Sequence, residues 1–116
     1  MNRSFALIEI KSEQLDYLNV MQKVETCHSQ KELADEVGFS VGKVNYIIKS
    51  LLHKGFIKVE KFVTSPNKRA YKYLLTSVGL KNKILLTEKY IAIKKQEYEK
   101  LQESLHLDKQ RGDTHE

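Results

Sequence analysis

Tryptophan is absent from this chain, and proline and cysteine each occur once in 116 residues. A lone cysteine cannot close an internal disulfide, so the fold must rest on a hydrophobic core, and the composition suits a reducing, cytoplasmic setting. No stretch approaches the roughly 18 apolar residues that cross a bilayer. The opening residues, MNRSFALIEI, lack a secretory apolar region and a small-residue cleavage site. A cytoplasmic protein with no membrane partner is therefore expected. Signatures of catalysis are missing too. There is no GxxxxGKS/T or GxGxxG phosphate loop, no nucleophile elbow and no paired-carboxylate arrangement. Cys27, His28, His53, His106 and His115 show no metal-ligand spacing. The sequence offers nothing for an enzyme, a cofactor or a metal.

What is present is a run of short amphipathic segments. Hydrophobic residues make up 41% of the chain, enough for one core, and its length suits one domain. Residues 5–10 (FALIEI) read as a short strand or the first turns of a helix, and periodicity does not decide between them. Residues 13–25 carry Leu15, Leu18, Met21 and Val24 at helical spacing. Ser29 followed by Glu32 is a capping box that opens a short helix, in which Leu33, Ala34 and Val37 face inward and which Gly38 ends. Ser40 caps the next helix, residues 41–54, closed by Gly55. Its apolar stripe is Val41, Val44, Ile47, Ile48, Leu51 and Leu52. Gly42, Lys43, Tyr46, Lys49, Ser50 and His53 lie roughly opposite, with Asn45 on the flank. Then β-rich segments at 56–63 and 70–75 enclose TSPNKR, a turn with a basic tip. Thr76 is placed to cap a long final helix.

Helix, capped helix, glycine turn, amphipathic helix and hairpin is the order of a winged helix-turn-helix. The fold class expected is mainly α with a small β-hairpin wing (α+β), followed by a long C-terminal dimerisation helix. The expected divisions are a DNA-binding domain at 1–75, the long helix at 76–107 and a polar, disordered tail at 108–116.

Acidic residues are scarce where this motif lies. Residues 39–73 hold eight basic residues and one acid, Glu60, a net +7. Residues 1–38 carry four basics and seven acids, and 74–116 carry eight and seven. Nearly all of the formal +5 therefore sits on the segments that would read DNA, as counterion replacement along a phosphate backbone requires. Ser40 and Gly42 begin the recognition helix, where free N–H groups favour phosphate. Lys43, Asn45, Tyr46 and Lys49 are candidates for base edges and phosphate, since Lys matches guanine and Asn matches adenine. Lys68 and Arg69 at the wing tip suit a minor groove. The plainer readings are a solvated helix face for the lysines, self-packing for Tyr46 and a loop kept soluble by charge.

Residue patterns add a resemblance. SQKELADEVGFSVGKVNYIIKSLLHKGFIKVEKF, NKRAYKYLLTSVGL and EYEKLQ resemble the EPS-associated branch of the MarR transcriptional regulators, with GKVNY, LLHKGFIKV and YKYLLT the most specific pieces. The likeness covers about residues 15–105. It implies a winged-helix fold, DNA binding as a dimer and association with polysaccharide-biosynthesis genes. Full-length members carry further terminal helices and often a ligand pocket beneath them. This chain is shorter, so a small-molecule effector stays open.

In the last helix, Leu80, Ile84, Thr87, Ile91, Lys94, Tyr98, Leu101 and Leu105 recur at alternating spacings of four and three, a heptad seam broken at Thr87 and Lys94. Ile84, Ile91, Tyr98, Leu101 and Leu105 are its expected homodimer contacts. Leu85, Leu86, Tyr90 and Ile93 fall off the seam, so the first half is also expected to pack on its own domain. Cys27, beside a helix N-terminus, reads either as a redox sensor or as a small apolar filler. Two readings compete with a sequence-specific regulator of duplex DNA: a winged-helix protein–protein adaptor without DNA binding, and a non-specific nucleic-acid binder.

Overall fold

The computed structural model describes residues 9–65 and 68–114, and the side chains of 61–70 fall outside that description. Of the 5–10 run, residues 5–8 lie outside it, and Glu9 and Ile10 belong to no helix or strand. The elements are α1 (Ser12–Lys23), α2 (Gln30–Val37), α3 (Val41–His53), β1 (Ile57–Ser65), β2 (Lys68–Leu75) and α4 (Ser77–Thr114). The protein is a winged helix-turn-helix followed by a long C-terminal helix.

Local chemistry explains most of the boundaries. The Ser29 hydroxyl accepts from the Glu32 N–H at 3.0 Å. The Glu32 carboxylate reaches past Ser29 to the His28 N–H, so the capping box closes one residue further back than the motif implies. Gly38 adopts φ +79° and donates its N–H to Ala34 at 2.9 Å, with the Phe39 N–H on the same carbonyl at 3.0 Å. Only glycine takes that left-handed conformation at no steric cost, and it turns the chain sharply from α2 into α3. Gly55, at φ +74°, does the same between α3 and β1.

The helices α1, α2 and α3 contact one another pairwise, and α3 also contacts β1. The core comes from one stripe of each: Leu18, Val20 and Met21 of α1, Leu33 and Ala34 of α2, and Val44, Ile47, Ile48 and Leu51 of α3, joined by Val24, Cys27, Ile57 and Leu86. Full burial of an aliphatic side chain of this size stabilises by about 1.5–3 kcal/mol, so this cluster carries the fold. The α3 stripe is narrower than its sequence pattern. Val41 is 47% exposed and Leu52 is exposed as well. They lie at the two ends of the helix, beyond the arc that α1, α2 and β1 cover. Ser50, expected on the outer face, is half-buried, and its hydroxyl lies 2.7 Å from the Tyr17 hydroxyl of α1.

The strands β1 and β2 form a two-stranded antiparallel sheet from Ile57↔Leu75 to Ser65↔Lys68, with an irregularity between Val63 and Ser65. Thr76 fastens the end of this wing. Its hydroxyl donates to the Gly55 carbonyl at 2.6 Å and accepts from the Gly79 N–H at 3.0 Å, while its N–H donates to the Phe56 carbonyl at 3.0 Å. It therefore caps α4 and ties that cap to the α3–β1 turn. Gly79 packs so closely there that an added Cβ would lie 1.8 Å from the Phe56 carbonyl oxygen.

The chain divides into a compact unit, Lys11–Thr87, and a second unit that includes the helical residues from Glu88 on. The first turns of α4 thus belong to the winged unit, where Leu86 is buried as its off-seam position implies, although Leu85 is exposed. α4 is 38 residues long, about 57 Å. It continues through residues 108–114, which the sequence reading separates as a disordered tail. Nothing in DKQRGDT except Gly112 opposes helix, and an Asp108–Arg111 ion pair at 4.0 Å spans one turn.

Candidate nucleic-acid interface

The Ser40 side chain caps α3 by accepting from the Lys43 N–H at 3.0 Å. The remaining first-turn N–H groups, at Val41 and Gly42, have no intrahelical acceptor. Along the exposed side of the helix, Gly42, Tyr46 and Lys49 succeed one another at intervals of four and three, so they form one continuous outer stripe. Tyr46 is 61% exposed.

Gly42 has no internal reason to be glycine. Its φ is not positive, and a Cβ there would meet only the Ser40 hydroxyl, at 4.0 Å. Glycine inside a helix costs about 1 kcal/mol relative to alanine. The helix would be served better by alanine, and the surface at Gly42 is open.

Lys43 lies at the edge of this face rather than at its centre. Its ammonium is 2.9 Å from the Asp16 carboxylate of α1 and 4.1 Å from the centroid of the Phe39 ring. Asp16 holds it toward α1, whereas Lys49 is exposed and stands on the outer stripe. The pair is partly exposed and contributes at most about 1 kcal/mol. Asn45, on the opposite edge, is half-buried. It donates from Nδ2 to Gln30 Oε1 at 3.1 Å, and Gln30 Nε2 donates to the Tyr73 hydroxyl at 3.4 Å. Gln30, Tyr73, Asp16 and Phe39 surround the candidate residues, and sequence reading assigns none of them a role. Phe39 lies only four residues from Lys43, a local signal that was available. The others meet α3 only through the fold.

Lys68 opens β2 opposite Ser65, and Arg69 pairs with Val63. The backbone thus puts both at the tip of the wing, as the turn chemistry implies. At its other end β2 is joined to the residues after α1, because the Glu25 carboxylate accepts from the Leu75 N–H at 2.9 Å.

The seam residues of α4 are exposed, from Ile84 at 48% to Leu101 at 70%. Its two polar interruptions are occupied within the helix. The Thr87 hydroxyl donates to the Lys83 carbonyl at 2.7 Å, and Lys94 pairs with Glu97 at 3.2 Å while lying 5.1 Å from the Tyr90 ring centroid. Cys27 is buried, and burial, followed by the nearby Glu32 and Glu36 carboxylates, pushes its thiol above the ordinary range. A buried thiol held protonated in this way fits the apolar-filler reading of Cys27. Among the described residues, no three of His, Cys, Asp and Glu come together as metal ligands, and no helix is long and apolar enough to cross a membrane.

Residues 18–58, from α1 into β1, match the family described as winged helix-turn-helix DNA-binding. No curated protein matches the chain. Among solved structures, a MarR/EmrR family transcriptional regulator from Acinetobacter sp. ADP1 is 26% identical, with a TM-score of 0.58 over 90% of this chain and 75% of the other. The PcaV transcriptional regulator from Streptomyces coelicolor, solved with its natural ligand, is 17% identical with a TM-score of 0.60 over 93% and 78%. A mutant of MepR from S. aureus, bound to an oligodeoxyribonucleotide, is 18% identical with a TM-score of 0.56 over 90% and 79%. The fold is that of the MarR-type winged-helix regulators.

Proposed function

We propose that this protein is a homodimeric transcriptional regulator that binds duplex DNA by laying α3 in the major groove and the wing tip against the neighbouring backbone or minor groove. The observation that carries the proposal is the outer stripe of α3. It presents a glycine that the fold does not need, an exposed tyrosine and an exposed lysine, in a segment carrying a net +7. A helix N-terminus with unpaired N–H groups at Val41 and Gly42 favours a phosphate at the groove wall. Lys49 and Tyr46 then face base edges and backbone, Asn45 meets bases from the flank, and Lys43 contributes from the α1 side. A solved structure of similar fold holds an oligodeoxyribonucleotide, which supports the same use here.

The seam on α4 supports pairing between two copies, which would set the separation of two recognition helices. Dimeric readers match half-sites about one DNA turn apart. The mechanism is occupancy of a site near a promoter. The segments that resemble the EPS-associated MarR branch favour polysaccharide-biosynthesis genes as its targets.

The test is fluorescence anisotropy with the duplex upstream of the protein's own gene and a scrambled duplex, at two salt concentrations. The native duplex is expected to bind at least about a thousandfold more tightly. Lys43→Ala/Lys49→Ala should abolish most of that preference and lower the salt slope by roughly two. Equal binding to both duplexes with a steep salt dependence would identify a non-specific binder. No binding at low salt by an intact oligomer would leave the protein–protein adaptor.

A further inference from the structure

The chain of contacts from Asn45 to the wing crosses three elements: Asn45 on α3, Gln30 at the first position of α2, and Tyr73 on β2. We infer that Gln30 and Tyr73 are positioning residues that hold the Asn45 side chain in place at the edge of α3, where it reads an adenine. The inference rests on the proposed DNA reading by α3 and deepens it.

A primary amide offers one carbonyl oxygen and two N–H donors. Asn45 gives one N–H to Gln30, at 3.1 Å. The oxygen and one N–H remain, and these are the two groups that a bidentate contact to the N6 and N7 positions of adenine uses. Gln30 is tied in turn to β2, because its amino group lies 3.4 Å from the Tyr73 hydroxyl, so the group that Asn45 leans on is itself anchored. All three side chains are half-buried, so water competes less for these groups than on an open helix face. The relay also places the wing strand and the recognition helix in one hydrogen-bonded line, so the side chain that reads bases takes its position partly from the wing.

The experiment selects a binding sequence from a random duplex pool with the wild-type chain. Each A·T pair of that sequence is then changed to G·C, and wild type, Asn45→Ala, Gln30→Ala, Tyr73→Phe and Asn45→Ala/Gln30→Ala are compared by anisotropy alongside their thermal midpoints. Asn45→Ala should lose about tenfold discrimination at one A·T pair of each half-site. Gln30→Ala should lose discrimination at those same pairs, Tyr73→Phe should lose less there, and all other pairs should stay within about twofold of wild type. The double variant should be no worse than Asn45→Ala alone, because Gln30 acts through Asn45. The inference is overturned if Asn45→Ala changes discrimination at no pair. It is equally overturned if Gln30→Ala weakens all duplexes evenly, or if the two substitutions add. If the wild-type chain selects no sequence, the DNA-reading proposal itself fails, a result distinct from these.

Discussion

In α3 the apolar residues Val44, Ile47, Ile48 and Leu51 are all buried, whereas in α4 the seam residues Ile84, Ile91, Tyr98, Leu101 and Leu105 are all exposed. Both helices repeat apolar positions at helical spacing. α3 has three partners within the winged unit, and they cover the middle of its stripe, leaving Val41 and Leu52 exposed at the ends. Beyond Leu86, none of the described residues of α4 is buried. A periodic stripe therefore reports that a helix has a partner and leaves open whether that partner lies in the same chain. For α4 the partner proposed is a second copy, whose seam has the same residues at the same spacing.

The largest effect is expected where the packing inside the winged unit leaves no room. Gly79→Ala would drive a methyl into the Phe56 backbone. It should cost about 2–3 kcal/mol and lower the thermal midpoint by roughly 10 °C, whereas Gly112→Ala, which meets nothing within a helix, should not lower it. A Gly79→Ala protein with an unchanged midpoint would show that the start of α4 is not held by that turn.

The second prediction addresses the seam. Ile91→Glu/Leu101→Glu should convert the proposed dimer to a monomer in sedimentation velocity while the far-ultraviolet signal of the helices is retained, since neither residue is buried within its own chain. A wild type of monomer mass would remove the dimer from the proposal, and a variant that keeps the dimer mass would move the interface off the seam.

A smaller effect separates folding from function on α3. Gly42→Ala should stabilise the protein by about 0.5–1 kcal/mol and weaken binding to the specific duplex. If binding is unchanged, nothing approaches the backbone there.

The smallest concerns Cys27. Its thiol is raised in the folded protein, so folding favours the protonated form. This contribution is fully present below the ordinary thiol range and is lost as the pH climbs above it. Denaturant midpoints should fall slightly above about pH 9 in wild type and less in Cys27→Ala. A thiol reagent should label the native protein much more slowly than the unfolded chain, and labelling at equal rates would mean that the site is open.

The caps were legible because each is a local event. Ser29 with Glu32, Gly38, Ser40 and Gly55 act within three or four residues, a separation at which side chain and backbone meet whatever the tertiary fold. The order of elements followed from those caps and from the change of period between α3 and β1. The outer stripe of Gly42, Tyr46 and Lys49 was legible for the same reason. The ion pair of Lys43 was not legible, because its partner Asp16 lies 27 positions earlier on α1. Val41 and Leu52 read as core because hydropathy records that a residue is apolar, while exposure depends on how far the neighbouring helices reach. The end of α4 was read too early because polar composition resembles a tail, although Asp, Lys, Gln and Arg are all compatible with helix.

The sequence by itself thus determined where helices start and stop, that a two-stranded wing follows α3, and that positive charge gathers on residues 39–73. All of these are set by neighbouring residues or by simple composition. Only the tertiary structure decided that Asn45 is held through Gln30 to Tyr73, across separations of 15 and 43 residues, that Lys43 turns to α1, and that Gly79 must be glycine. Those outcomes depend on which surfaces the packed helices bring within a few ångströms of each other, and no local spacing carries that information.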